Sequence, residues 1–314
     1  MSGRILALAL GNSLIWAVYM LLTRHVVSGA RLDPWAYTLV QLLIAGLAML
    51  WVGRRTPGGW ADLLAPWTVG YAFLRVAING CTSAAVVWLA VTQSTLLATG
   101  SVLIGAASGW ALTRIAPARR EGPGLLLLAA GIATFAVAIF SDTTWRGLLW
   151  LTLSESLAVA GSWMIAYHPR NRSTDPLARC RFTGEILVAA SMAFIVTWSL
   201  AGLAGIMASP WASGGDAFGR LELWAYAALA GLLFRAPGTW LGFWTINSIG
   251  VQSYLIALTG MPFFAIALEA LAAHFGWLTP ARLSPAEWLA AAVILAASTW
   301  LIAIRMKATP AAAP

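Results

Sequence analysis

Two arginines stand inside apolar runs of this 314-residue chain, Arg75 and Arg235. Each opens a polar row. Arg75 is followed by Asn79 and Thr82, and Arg235 by Thr239 and Gly242. Steps of four and seven residues return to one face of an α-helix. A bare guanidinium at mid-bilayer costs about 2.5–3.5 kcal/mol on insertion scales, so each must face the interior, water or a carboxylate. The pair reads as two cationic clamps for an anionic group, because the planar guanidinium donates bidentately to carboxylate and phosphate. The competing readings are an internal ion pair with Glu155, Glu185 or Glu269, and a snorkelling position near a membrane face.

Glu155 lies inside another run between Ser154 and Ser156. It is a candidate proton-coupling carboxylate, or else the group that neutralises an arginine. Glu185 follows Arg181 by four residues, the spacing of a local helical pair. Glu269 falls near the end of its run and reads as an interfacial or packing residue. Aromatic residues supply a second motif. Asn12, Trp16, Tyr19 and Thr23 share one helix face, and Trp163 with Tyr167, Trp240 with Trp244, and Tyr254 add further rings. Tyr and Trp offer an apolar body with a polar handle. The candidate substrate-binding set is therefore Arg75, Asn79, Arg235, Thr239, Trp16, Tyr19, Trp163, Trp244 and Tyr254. Trp51, Trp60, Trp67, Trp145, Trp150, Trp211, Trp277 and Trp288 read as interfacial belt residues.

The elements that must position these groups follow from composition. Hydrophobic residues make up 60% of the chain, charged residues 10%, and the mean hydropathy is +0.80. A spanning helix needs roughly 20 mostly apolar residues. Ten such runs are expected near 5–22, 34–52, 67–90, 93–114, 123–140, 147–167, 177–205, 221–246, 250–273 and 286–304. The seventh is long and opens on Arg179, Arg181 and Glu185, so its span is expected to start later or to tilt. Basic residues outside the runs sort by side, twelve (among them Arg54, Arg114, Arg170 and Arg305) against five (Arg24, Arg31, Arg146, Arg220 and Arg282). The positive-inside rule then puts both termini in the cytoplasm, in accord with an even number of spans. This sorting, instead of one basic patch, argues against nucleic-acid binding despite a net charge of +8. The first run is longer than the apolar core of a signal peptide. Cys81 and Cys180 suggest neither a disulfide nor a metal site, and no cofactor motif occurs. The Pro/Ala-rich tail 308–314 is expected to be disordered.

Splitting near Asp142 leaves five runs on each side, with residues 1–142 and 143–307 as candidate repeats. Asp33-Pro34 and Asp175-Pro176 open the second and seventh runs, where proline suits a first helical turn. Leu74-Arg75 parallels Phe234-Arg235, and Thr99-Gly100 parallels Thr259-Gly260, both at an offset of 160. An odd number of spans per half inverts the second half, the arrangement of many secondary transporters with a site at the midplane. Gly105 and Gly109, and Gly202 with Gly205, mark close helix approaches. Gly238 after Pro237 marks a kink.

Three stretches carry a resemblance. They are Trp16-Ala17-Val18-Tyr19 with Arg24, the fourth run ending in Arg114 and followed by Arg119-Arg120-Glu121, and the ninth run Gly260-Met261-Pro262-Phe263-Phe264-Ala265-Ile266-Ala267-Leu268-Glu269. Over nearly its full length the chain resembles the drug/metabolite transporter superfamily in its ten-helix form of two EamA-type repeats. It departs in the fourth run, where Gly100 and Ser101 stand in place of a proline. The resemblance implies an all-α membrane protein, a basket of two inverted five-helix repeats in a bacterial cytoplasmic membrane, moving small metabolites without a cofactor. The expected function is alternating-access export or exchange of an amino acid with an aromatic or apolar side chain, with coupled protons a possible partner and a monomer sufficient. The alternatives are an exchanger of carboxylate or phosphorylated anions and, in another class, an intramembrane lipid-modifying enzyme. His25, His168 and His274 lie apart and form no His-x-x-x-His motif.

Overall fold

The computed structural model describes residues 3–114, 116–173, 175–203, 214–279 and 281–307. All regular structure among them is helical. The helices are α1 Gly3–Arg24, α2 Pro34–Val52, α3 Pro66–Trp88, α4 Val91–Ala98, α5 Ser101–Thr113, α6 Gly122–Ile139, α7 Thr144–Tyr167, α8 Pro176–Leu203, α9 Leu221–Ala230, α10 Ala236–Ile249, α11 Val251–Leu258, α12 Met261–His274 and α13 Pro285–Lys307. Eight stretches are long and apolar enough to cross a membrane: α2, α3, Val91–Thr113, α6, α7, Pro176–Leu200, Val251–His274 and α13. The chain is thus an all-helical, membrane-embedded protein. The remaining α-helical stretches are α1, which runs into a π turn at His25–Gly29, and α9, joined to α10 through a second π turn at Gly231–Arg235.

Local chemistry explains these boundaries. Asp33 caps α2 by accepting from the Trp35 and Ala36 amides at 2.9 and 2.7 Å, with Pro34 in the first turn. Asp175 does the same for α8 through the Leu177 amide at 2.9 Å. This cap fixes the start of α8 at Pro176, so Arg179, Arg181 and Glu185 belong to its first turns instead of preceding it. The fourth and ninth runs are each two helices, broken at Thr99-Gly100 and Thr259-Gly260. At each break the threonine hydroxyl turns back onto a carbonyl three residues earlier, Leu96 at 2.6 Å and Ile256 at 2.7 Å. Side chains of this kind compete with the helical ladder and end it locally.

Helix α2 packs on α8, α3 on α7, α6 on α13, and α1 on both α10 and α12. The α2–α8 crossing is close enough to require glycine. A Cβ on Gly46 would lie 2.9 Å from the Leu187 Cβ, and one on Gly184 would lie 2.8 Å from the Gly46 carbonyl. Small residues permit such approach where lipid supplies no hydrophobic drive between helices. The arginine-rich end is tied by Glu185, which is fully buried and holds Arg170 at 2.9 Å and Arg181 at 3.1 Å. The expected Arg181 pair is therefore shared with Arg170. Belt tryptophans Trp51, Trp67, Trp145, Trp277 and Trp288 are exposed. Trp150 instead packs edge-on to Trp35, with ring centroids 6.2 Å apart. Trp211, Gly205 and the 308–314 tail lie outside the described residues, as does the Trp60 side chain.

Two outcomes follow. Gly46→Ala should lower stability by about 1–3 kcal/mol through overpacking, whereas Gly11→Ala, with nothing within 4 Å of the added Cβ, should not; melting in detergent distinguishes them. His168, just past α7, stacks on Phe182 at 4.4 Å and meets Thr68 Oγ1 at 3.2 Å. Burial, then the charge of Arg170, hold its imidazole below the ordinary 6.5, with Asp62 opposing. The folded state keeps His168 neutral while the unfolded chain protonates it, so stability is lost as pH falls below about 6.5. His168→Gln should flatten that decline in a pH series of melting curves.

Candidate functional site

Arg235 ends the π turn that joins α9 to α10. Pro237 has no N–H to offer the Leu233 carbonyl, and the Ala236 amide bonds the Gly231 carbonyl in the five-residue step of a π turn. Such turns re-aim side chains and recur at functional sites. Arg235 is 1% exposed and is held from two helices. Its Nη2 donates to the Tyr19 hydroxyl at 3.1 Å and to Asn79 Oδ1. Its guanidinium lies 4.5 Å from the Tyr19 ring centre and 4.9 Å from that of Trp16. Gln41 Nε2 on α2 donates to the same Tyr19 hydroxyl at 3.0 Å, which fixes the tyrosine.

Arg75 is held in the reciprocal way. Its Nη2 donates to Thr239 Oγ1 at 3.3 Å, and the guanidinium sits 5.5 Å from the Phe243 ring centre. The two rows therefore brace each other. Arg75 of α3 rests on Thr239 of α10, and Arg235 rests on Asn79 of α3. The Asn79 amide nitrogen is occupied by the Arg75 carbonyl, at 2.5 Å. Among the described residues no carboxylate lies within ion-pair distance of either arginine, and the Nε of each is buried without a partner. Buried charge without a counter-ion is costly. The ion-pair reading is thereby set aside, because all three carboxylates it needed are placed elsewhere. Glu185 serves Arg170 and Arg181. Glu269 is buried, accepts from the Thr92 amide at 2.8 Å and so caps α4. The Glu155 carboxyl faces the Ser101 hydroxyl.

These groups line one cavity of about 150 Å³, room for on the order of ten waters. Arg75, Asn79, Arg235, Thr239, Trp16, Tyr19, Tyr254 and Glu155 all reach it. On α3 it runs from Tyr71 to Thr82, about 16 Å at 1.5 Å per residue. The Tyr254 hydroxyl accepts from Asn12 Nδ2 at 3.4 Å. It fits only because position 242 is glycine, where a Cβ would meet that hydroxyl at 2.9 Å.

Two expected members stand elsewhere. Trp163 points away from the cavity and donates through Nε1 to Ser108 at 3.0 Å. Trp244 is half-buried behind the wall formed by Thr239 and Phe243. Each lies one residue off the cavity-facing row, a rotation of about 100° for a 3.6-residue turn. Conversely, Tyr71, Phe243, Ser101 and Thr99 line the cavity and were not among the expected residues. Extending the rows by one turn, from Arg75 back to Tyr71 and from Thr239 on to Phe243, finds two of them.

No family model and no curated protein matches the chain. A crystal structure of a protein is similar over 98% of this chain and 100% of its own, with a TM-score of 0.60 and 17% identity. That likeness is one of fold.

The mutual brace makes a stability forecast. Asn79→Asp would set a carboxylate beside the buried Arg235. Charge-assisted bonds contribute about 1.5–3 kcal/mol, so the melting temperature in detergent should rise, although the change is at the centre of the cavity. A fall would show that loss of the Asn79 Nδ2 bond to the Arg75 carbonyl outweighs the gain at Arg235.

Proposed function

We propose that this chain is a secondary transporter that carries a small carboxylate-bearing metabolite, best an amino acid with an aromatic or apolar side chain, by alternating access across a bacterial cytoplasmic membrane. The observation that carries the reading is the pair of arginines, Arg235 buried and Arg75 partly buried, that line one cavity and are braced by neutral residues. Their free donors match a carboxylate in planar, bidentate fashion. Glu155, on the same cavity and without a cationic partner, suits the ammonium group or a coupled proton. Tyr71, Phe243, Ile165 and Ile246 offer the apolar end.

The helix packing supports two inverted five-helix repeats. Exchange α1, α2, α3, α4, α5 and α6 for α7, α8, α9–α10, α11, α12 and α13, and the neighbours map onto one another. The pairs α2–α8 and α6–α13 map onto themselves, α3–α7 onto α10–α1, and α12–α1 onto α5–α7. The breaks at Thr99 and Thr259 exchange too. The cavity lies between the halves, where such transporters place substrate. This agrees with the resemblance to the ten-helix drug/metabolite transporters, with the arginine-rich end cytoplasmic. A second reading, exchange of purely anionic metabolites, draws on the same arginines but leaves Glu155 without a role.

Counterflow into proteoliposomes, screening labelled amino acids, carboxylates and organic cations, tests this. Arg75→Gln with Arg235→Gln should cut exchange about tenfold or more, as loss of a buried charge partner costs at least 2 kcal/mol. Glu155→Gln should abolish the response to an imposed pH step while leaving counterflow of an anion. Failure of every solute class with well-folded protein would sink the transport reading, and selective movement of dianions alone would favour the second.

A further inference from the structure

The face of α7 opposite the cavity borders a crevice against α5, and among the described residues no neighbouring helix fills it. Ile104, Ser108, Ala111 and Leu112 of α5 face Ala160 and Trp163 of α7 across it, and Trp67 and Tyr167 close its arginine-rich end. Exchange of the halves maps this seam onto α1 and α12, and that seam is shut. Ala17 and Met20 of α1 and Ala265 of α12 are buried there in one apolar cluster, with Met261 and Phe264 packed against it. In the α5–α7 seam the small side chains Ala111, Ser156 and Ala160 leave the space open, and the Trp163–Ser108 hydrogen bond bridges its floor at 3.0 Å.

The end of this groove is cationic. Arg172 lies over the Tyr167 ring at 5.4 Å and spends its Nε on the Ala166 carbonyl at 3.1 Å. Arg172 is exposed, and among the described residues its two terminal nitrogens meet no acceptor within hydrogen-bond distance, a fork that can receive a phosphate. Arg114 ends α5 two residues beyond Leu112, in a left-handed conformation with φ 58°. Helices usually give that position to glycine, and here it carries an exposed guanidinium. Trp163 and Tyr167 stack with centroids 6.1 Å apart and form an aromatic strip from the groove to the arginines. An apolar channel, an aromatic strip at headgroup depth and a free arginine fork follow one another along α7.

We propose that the α5–α7 crevice binds an anionic phospholipid, with an acyl chain along Ala111, Leu112 and Ala160 and the phosphate on Arg172 and Arg114. The inference depends on membrane embedding and not on which solute, if any, the central cavity carries. A net-neutral choline headgroup would offset the arginine attraction with its own cation, so the site discriminates by charge.

Native mass spectrometry of protein titrated with phosphatidylglycerol or phosphatidylcholine tests it. One phosphatidylglycerol should resist removal where phosphatidylcholine does not. Arg172→Ala should weaken its retention about tenfold, as for loss of a charge-assisted bond. Ala160→Trp should abolish it by filling the groove, and Ala160→Leu serves if the tryptophan variant does not fold. Arg146→Ala, at the opposite end over Trp88 and Trp145, should leave retention unchanged. Equal retention of both lipids, or retention unaltered by Arg172→Ala and a folded groove-filling variant, overturns the proposal. So does displacement of the lipid by a solute that the protein transports, which would make the crevice a substrate passage.

Discussion

The architecture turns on two guanidinium groups, Arg235 buried and Arg75 partly buried, that have no carboxylate within ion-pair distance among the described residues. Burial of an unpaired cation is among the larger penalties a fold can carry, and Arg235 carries it in full. What holds them is reciprocal: α3 supplies Asn79 to Arg235, and α10 supplies Thr239 to Arg75. Neither helix can leave without loosening both charges. Much else serves that arrangement. The π turn at Gly231–Arg235 aims one guanidinium, Gln41 pins the tyrosine that it touches, and Gly242 makes room for Tyr254. Aromatic faces at Trp16, Tyr19 and Phe243 lower the cost of the charge through ring quadrupoles without cancelling it.

The two ends of the bundle are not equivalent. On the side of Arg24, that residue donates to the Val86 carbonyl at 2.5 Å and to the Leu89 carbonyl, closing the end of α3, while Glu269 caps α4. Arg24 thus ties the end of α3 to α1, and Glu269 ties the start of α4 to α12. On the arginine-rich side the corresponding corner is held by neutral contacts, Asn247 Nδ2 to the Asn171 carbonyl at 2.6 Å and Asn171 Nδ2 to Asn247 Oδ1 at 3.3 Å. The α5–α7 seam beside it is open.

Much of this was legible in the sequence, for identifiable reasons. Apolar run length marked the spans, because lipid leaves the backbone few alternatives. The Arg75 and Arg235 rows stood out because charge is rare inside such runs. The paired Thr-Gly steps at 99 and 259 were visible as echoes, but not as helix breaks, since that depends on a hydroxyl turning onto its own backbone. Trp163 and Trp244 misled because spacing fixes which residues share a face and not which face meets the cavity. The fate of the carboxylates was legible only in part: spacing gave the Arg181–Glu185 pair, but not the partners beyond it. Glu185 is drawn off by Arg170, fifteen residues away across a loop, and Glu269 by a helix end in the other half.

The neutral braces also bear on what the cavity holds. A site built for stability alone would place a carboxylate at position 79 or 239, where a side chain already touches each guanidinium. Asparagine and threonine keep the geometry and leave the charge unspent, and in the proposed transporter compensation would arrive with the ligand. Binding energy taken from that deficit is available only when an anion is present, which makes occupancy and the packing of α3 on α10 mutually dependent. Glu155 adds the opposite requirement, since its carboxyl shares the cavity with no cation in contact. A ligand carrying a carboxylate and an ammonium answers both deficits at once, whereas a purely anionic ligand answers one and leaves Glu155 to be neutralised by a proton. The charge pattern therefore favours a zwitterion over an anion, on grounds that neither the fold nor the arginines alone supply.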